Sequence, residues 1–207
     1  TVLAPQAVLL HSDTCYFGVR FLPGYNPVLG SSEIMSQLVN HQIPLDELIQ
    51  DRRMLEGICG TTDFRKQIRA FMRSYMNIYR RACPMEHSNL LVLHSFNLLI
   101  RSAGSISIEQ LAEDTGYTAR YIDRCFRNET GLSPKQLAKI VRFQAAVSAL
   151  NQNQHKGRSL TEIAADLGYF DQSHFVHDFK AYTGLTPKKY QKLLLHDSFE
   201  EKLRIVQ

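Results

Sequence analysis

Four charged side chains, Arg120, Asp123, Arg124 and Arg127, fall on one side of the stretch after Thr118 when residues are stepped by about 100°. Ile122, Cys125 and Phe126 fall on the other side, and Tyr121 lies at the edge between them. A guanidinium presents a planar fork of donors and a carboxylate only acceptors, so such a face suits recognition of a polar surface. A second stretch repeats the division. Ser173, His174, His177 and Asp178 point away from Phe175, Val176 and Phe179, and Gln172 stands at the start.

The elements that hold these faces are themselves repeated. Gly116-Tyr117 leads through Phe126-Arg127 to Thr130-Gly131-Leu132-Ser133-Pro134-Lys135, and Gly168-Tyr169 leads through Phe179-Lys180 to Thr183-Gly184-Leu185-Thr186-Pro187-Lys188. Ahead of each copy runs an amphipathic segment that opens on a capping box, Ser107-Ile108-Glu109-Gln110 and Ser159-Leu160-Thr161-Glu162. Each copy therefore predicts a helix, a tight turn, a second helix and a stop. Thr118 is the expected N-cap of the first inner helix. The second copy has one more residue in its turn, which passes the cap to Asp171. Between the copies, Pro134 to about Asn151 reads as one helix through Leu137, Ile140, Val141, Ala145 and Leu150. Its length is roughly 27 Å at 1.5 Å per residue. A polar loop follows to Gly157.

A helix buried on one side and polar on the other can enter a DNA major groove. Arginine donates in pairs to guanine O6 and N7, and an amide such as that of Gln172 pairs with adenine N6 and N7. Tyr121 could touch a thymine methyl or a phosphate, while Asp123 needs a cytosine amino group or an arginine to brace. The expected base contacts are Arg120, Tyr121, Asp123 and Arg124 in the first unit and Gln172, Ser173, His174 and His177 in the second. Thr118, Arg127, Lys156, Arg158, Lys180, Lys188 and Lys189 are the expected phosphate contacts, which orient without specifying. Successive groove entries lie about 34–36 Å apart, a span that suits a stiff connector between the units. Residues 101–192 carry 13 Lys+Arg against 9 Asp+Glu, so the positive excess sits on the repeat.

The remaining composition is ordinary. A chain of 207 residues, 44% hydrophobic, can hold one large or two small packed domains. It has no apolar run of membrane-spanning length. Cys15, Cys59, Cys83 and Cys125 form no C-x-x-C pair, which argues against a disulfide framework or zinc finger and fits a reducing cytoplasm. Cys125 reads as a small core residue. His174 and His177 have a metal-compatible spacing, but only Asp178 stands near, so no metal or cofactor is expected. There is no nucleophile elbow, phosphate-cradling loop or H-E-x-x-H, so no enzyme is expected. Two other readings stand beside DNA binding: a small-molecule sensor module and a protein–protein adaptor.

Residues 1–83 read differently. Val8-Leu9-Leu10 and Tyr16-Phe17-Gly18-Val19-Arg20-Phe21 predict short strands. Ser31 or Ser32 and then Pro44 open two short helices, and Thr61 or Thr62 opens a longer one. Phe64, Ile68, Phe71, Tyr75 and Ile78 make a single seam along that helix. The seam could pack on the strands before it or form the contact of a homodimer. The next helix, from His87 to Arg101, should be buried on more than one side. Residues 196–207 read as a tail, and an opening on Thr1 suggests a fragment.

Residues 87–195 resemble the DNA-binding domain of the AraC/XylS family of bacterial transcription regulators. The resemblance rests on Asp171, Ser173, Phe175, Phe179-Lys180, Gly184, Thr186-Pro187 and Tyr190. It implies a mainly α chain: a seven-helix double helix-turn-helix domain over residues 84–195, after a small α+β remnant of a β-rich N-terminal domain. It also implies transcription activation beside RNA polymerase, and base contacts at Arg120, Asp123, Arg124, Gln172, Ser173 and His177. The family often has arginine where this chain has His177. Gly18-Val19-Arg20-Phe21-x-Pro23-Gly24 and Pro44-Leu45-Asp46-Glu47-Leu48 resemble, less specifically, the end of an upstream sensing domain through which a small-molecule effector would act.

Overall fold

The computed structural model describes residues 51–82, 87–153 and 157–194, with isolated positions at 18, 19, 21, 23, 38, 39, 41 and 47. The expected strands at 8–10 and 16–21 and the tail at 196–207 lie wholly or largely outside the described residues. So do the two short helices expected after residues 31 and 44, of which only Glu47 is described as helical.

The first described helix, α1 (Arg52–Cys59), starts where the Asp51 carboxylate accepts from Met54 N at 3.2 Å. The sequence reading missed it. The next, α2 (Phe64–Ala82), begins later than Thr61 or Thr62 would place it, because Asp63 is its cap. Asp63 Oδ1 accepts from the backbone N–H of Arg65 and Lys66, and Thr61 Oγ1 accepts from that of Asp63.

The expected seam on α2 is only partly covered. Phe64 is 54% exposed and Ile68 is also exposed, and the side chain of Ile78 lies outside the described residues. Phe71 and Tyr75 are half-buried, and both rings meet Phe21. The buried line of α2 runs instead through Gln67 and Ser74. Gln67 Nε2 donates to the carbonyls of Ile58 and Thr61, tying α2 to the end of α1. Gly57 lets the helices touch, since a Cβ there would lie 2.7 Å from that of Ala70. Side chain–backbone bonds and small residues set this pairing, which apolar spacing does not record, while the Phe21 contacts lie where packing on the preceding segment was expected.

Among the described residues seven helices follow, as expected: α3 (His87–Arg101), α4 (Ile108–Thr115), α5 (Ala119–Thr130), α6 (Pro134–Gln152), α7 (Leu160–Asp166), α8 (Gln172–Thr183) and α9 (Pro187–Leu194). Both expected capping boxes form, at Ser107 and Ser159, and a third opens α6 through Ser133 and Gln136. α3 buries one side, through Leu91, Val92, Ser95, Phe96 and Leu99. Leu90 and Ile100 are exposed, contrary to the expectation of burial on more than one side.

Two cores result. The first joins Val92, Leu99, Leu111, Ile122, Cys125, Phe126 and Leu132, and confirms Cys125 as a packing residue. The second joins Leu150, Ile163, Leu167, Tyr169, Phe175 and Phe179. The connector α6 serves both. Leu137, Ala138 and Val141 enter the first core, while Ala146 and Leu150 enter the second. At 19 residues α6 is about 28 Å long by the helical rise.

Candidate nucleic-acid interface

The caps aim the two inner helices. Thr118 Oγ1 accepts from Tyr121 N at 3.3 Å and starts α5, and Asp171 Oδ1 accepts from His174 N at 2.7 Å and starts α8. Each helix ends on a glycine with φ near 72°, Gly131 and Gly184. The threonine before each glycine locks the turn in the same way. Thr130 Oγ1 donates to Phe126 O and accepts from Leu132 N, while Thr183 Oγ1 donates to Phe179 O and accepts from Leu185 N.

Helix α5 is divided as its sequence predicts. Ile122, Cys125 and Phe126 are buried, and Arg120, Arg124 and Arg127 are exposed. With Thr118, Tyr121, Asp123 and Asn128 the three arginines line one surface concavity. The Arg124 guanidinium stands 5.0 Å over the Tyr121 ring, which stacks on Tyr117. That stack limits the rotamers of a long side chain before any ligand arrives. Asp123 braces an arginine, since its Oδ2 accepts from Arg127 Nε at 2.7 Å. The neighbouring Cys125 sulfur pushes the Tyr121 hydroxyl above its ordinary pKa. Burial does the same to the Cys125 thiol.

Helix α8 is also two-sided, with differences. Phe175 and Phe179 are buried, Val176 is half-buried, and Gln172, Ser173, His174 and His177 are exposed. Gln172 Oε1 already accepts from Thr161 Oγ1 at 2.8 Å, so the first turn of α7 orients this amide. His174 meets the Tyr169 ring edge-on. Asp178 does not point outward as expected: its side chain is only 16% exposed, between His174 Nε2 at 3.6 Å and His177 Nδ1 at 3.8 Å. Beneath it, burial and then the Asp178 charge push the Tyr169 hydroxyl up to about 12.

Among the expected phosphate contacts, Lys180, Lys188 and Lys189 are exposed. Arg158 is also exposed but is paired with Asp166. Lys156 lies outside the described residues.

Three residues escaped the sequence reading: Asn128 in the α5 concavity, Thr161 behind Gln172, and Phe170. Phe170 is 92% exposed, immediately ahead of the α8 cap. It falls in the turn that is one residue longer than its counterpart, and that extra length was the signal available.

Two helix-turn-helix units on one connecting helix, each with a polar outer face, define a double helix-turn-helix domain of the kind that reads nucleic acid. The family described as "Helix-turn-helix domain" matches residues 84–193, more than half of the chain. The chain belongs to the AraC/XylS family of transcription regulators. It is 38% identical over 85 residues to an uncharacterized HTH-type transcriptional regulator of Haemophilus influenzae, covering 41% of this chain and 28% of that one. It is 29% identical over 104 residues to the HTH-type transcriptional activator AarP of Providencia stuartii, covering 50% and 72%. Against the XylDLEGF operon transcriptional activator of Pseudomonas putida it is 29% identical over 83 residues, covering 40% and 26%. The chain thus spans less than a third of the length of two of these three relatives. No solved structure matches it significantly. No helix among the described residues is long and apolar enough to cross a membrane.

Proposed function

We propose that this chain binds double-stranded DNA sequence-specifically, with α5 and α8 in successive major grooves, and so regulates transcription as an activator. One observation carries the reading: the same capped, glycine-stopped helix occurs twice with its polar face exposed and its apolar face buried. In this reading Arg120, Tyr121, Asp123, Arg124, Gln172, Ser173, His174 and His177 face base edges. Phe170 adds an apolar contact, suited to a thymine methyl or a sugar. Thr118, Arg127, Lys156, Arg158, Lys180, Lys188 and Lys189 stand toward phosphates.

Three finer parts belong to the same proposal. RNA polymerase is the partner through which activation acts. A small-molecule effector acts through the N-terminal region, residues 1–83. The Phe64, Ile68, Phe71, Tyr75 and Ile78 seam, exposed at Phe64 and Ile68, forms a homodimer contact.

The deciding experiment is binding to a random-sequence duplex pool at two salt concentrations, followed by enrichment and sequencing. A DNA reader loses affinity steeply as salt rises and enriches a motif with two segments. Failure to bind at low salt would leave the adaptor or sensor readings in its place.

A further inference from the structure

The two helix-turn-helix units meet at Arg142. Val141 belongs to the first core and Phe143 packs on the second, so Arg142 stands where α6 passes from one to the other. Its Nη2 donates to the Gly104 carbonyl at 2.7 Å, in the turn between α3 and α4. Its guanidinium lies 5.4 Å from the centre of the Tyr169 ring, in the second unit. One side chain therefore holds a backbone carbonyl of the first unit and an aromatic face of the second.

The α3–α4 turn reaches across as well. Ala103, at φ 51°, packs on the second core, and Ser105 lies so near Gly168 that an added Cβ would come within 3.2 Å of it. A non-glycine residue at positive φ is uncommon and persists where surrounding contacts hold it. Gly104 is pressed on α6: a Cβ there would meet Ala138 O at 2.2 Å.

Packing alone does not account for an arginine here. Its Nε is buried and meets no acceptor among the described residues. A cation so placed gives up hydration without full hydrogen bonding, and methionine would fill the same space without that loss. What methionine lacks is the planar fork that can hold a carbonyl by its edge and a ring by its face.

We infer that Arg142 is a positioning residue that fixes the angle between α5 and α8, and with it the spacing of the two DNA segments the protein reads together. The DNA consequence rests on the proposed function; the rigidity of the joint does not. Inserting one base pair between the segments moves the second by about 3.4 Å and about 34°. A fixed joint cannot follow that change, and a loosened one can.

The test uses the full chain with Cys15, Cys59 and Cys83 changed to Ser and spin labels at Glu113→Cys in α4 and Ala181→Cys in α8. Pulsed dipolar spectroscopy should give one narrow distance distribution, which Arg142→Met broadens or splits. Arg142→Lys and Tyr169→Leu should broaden it too, and they decide the matter if the methionine variant does not fold. A second arm uses the enriched duplexes. One inserted base pair should weaken the unsubstituted protein by about tenfold or more and Arg142→Met by no more than about threefold. Distance distributions of unchanged width in all folded variants would overturn the inference, as would an equal insertion penalty in both proteins. If no duplex is enriched, the DNA proposal fails while the distance arm still decides the joint.

Discussion

Asp123 Oδ2 and Arg127 Nε pair at 2.7 Å, one turn apart on the exposed side of α5. The pair sets a carboxylate against the polyanion that this face is proposed to meet, which lowers affinity for any DNA. In return it restrains the Arg127 guanidinium, so that fewer phosphate geometries are open to it. Asp123→Asn should therefore bind random duplex more tightly, with a salt dependence steeper by roughly one charge. Discrimination between the enriched site and random duplex should fall. Titrations at several salt concentrations read both effects, and a variant that gains no affinity for random DNA would remove Asp123 from the interface.

Arg124 and Lys188 should behave as opposites. Arg124 is exposed on α5 and restrained over Tyr121, whereas Lys188 is an exposed cation in the first turn of α9. Arg124→Ala should cost about 1–3 kcal/mol at one base position and leave other sites nearly unaffected. Lys188→Ala should weaken all sequences alike and reduce the salt slope by about one. Competition binding against single-base variants of the enriched site separates the two patterns. An unchanged site preference in Arg124→Ala would mean that α5 does not lie in the groove.

Phe170 leaves a whole aromatic ring in water at the start of α8. Burying that surface against DNA would recover part of the hydrophobic term that the free protein forgoes. Replacing thymine by deoxyuracil removes only the C5 methyl group. At one position of the enriched site this change should weaken the unsubstituted protein and leave Phe170→Ala, already weaker, unaffected. Equal sensitivity of both proteins at every position would exclude the methyl contact.

The repeat was legible because its parts signal locally. Ser107 and Ser159 with Gln110 and Glu162, and the Thr-Gly-Leu stops at Thr130 and Thr183, act within a few residues of themselves. The apolar sides of α5 and α8 follow from helical spacing, and Phe126 and Phe179 are buried as that spacing requires. What escaped depends on partners distant in sequence or on competition between neighbours. Asp178 is drawn between two histidines, Gln172 is held by Thr161 eleven residues away, and Arg142 bonds Gly104 across 38 residues. On α2, Gln67 is buried because backbone carbonyls of the α1–α2 connection need its amide, which no hydrophobic pattern records.

The two threonine locks are the same device at different depth, so they should differ in energy. Thr130 is buried, with Oγ1 2.7 Å from Phe126 O and 3.1 Å from Leu132 N. Thr183 makes the matching bonds at 2.9 Å and 3.0 Å but is only half-buried. Valine keeps the shape and removes the hydroxyl, which leaves the following leucine N–H without its acceptor. Where water cannot reach, an unmet buried donor costs about 1–3 kcal/mol, and partial exposure reduces that cost. Thr130→Val should lower the urea midpoint clearly, and Thr183→Val should lower it less, with little change in the slope of either transition. A larger loss at Thr183, or none at Thr130, would show that packing and not the hydroxyl bonds holds the ends of α5 and α8.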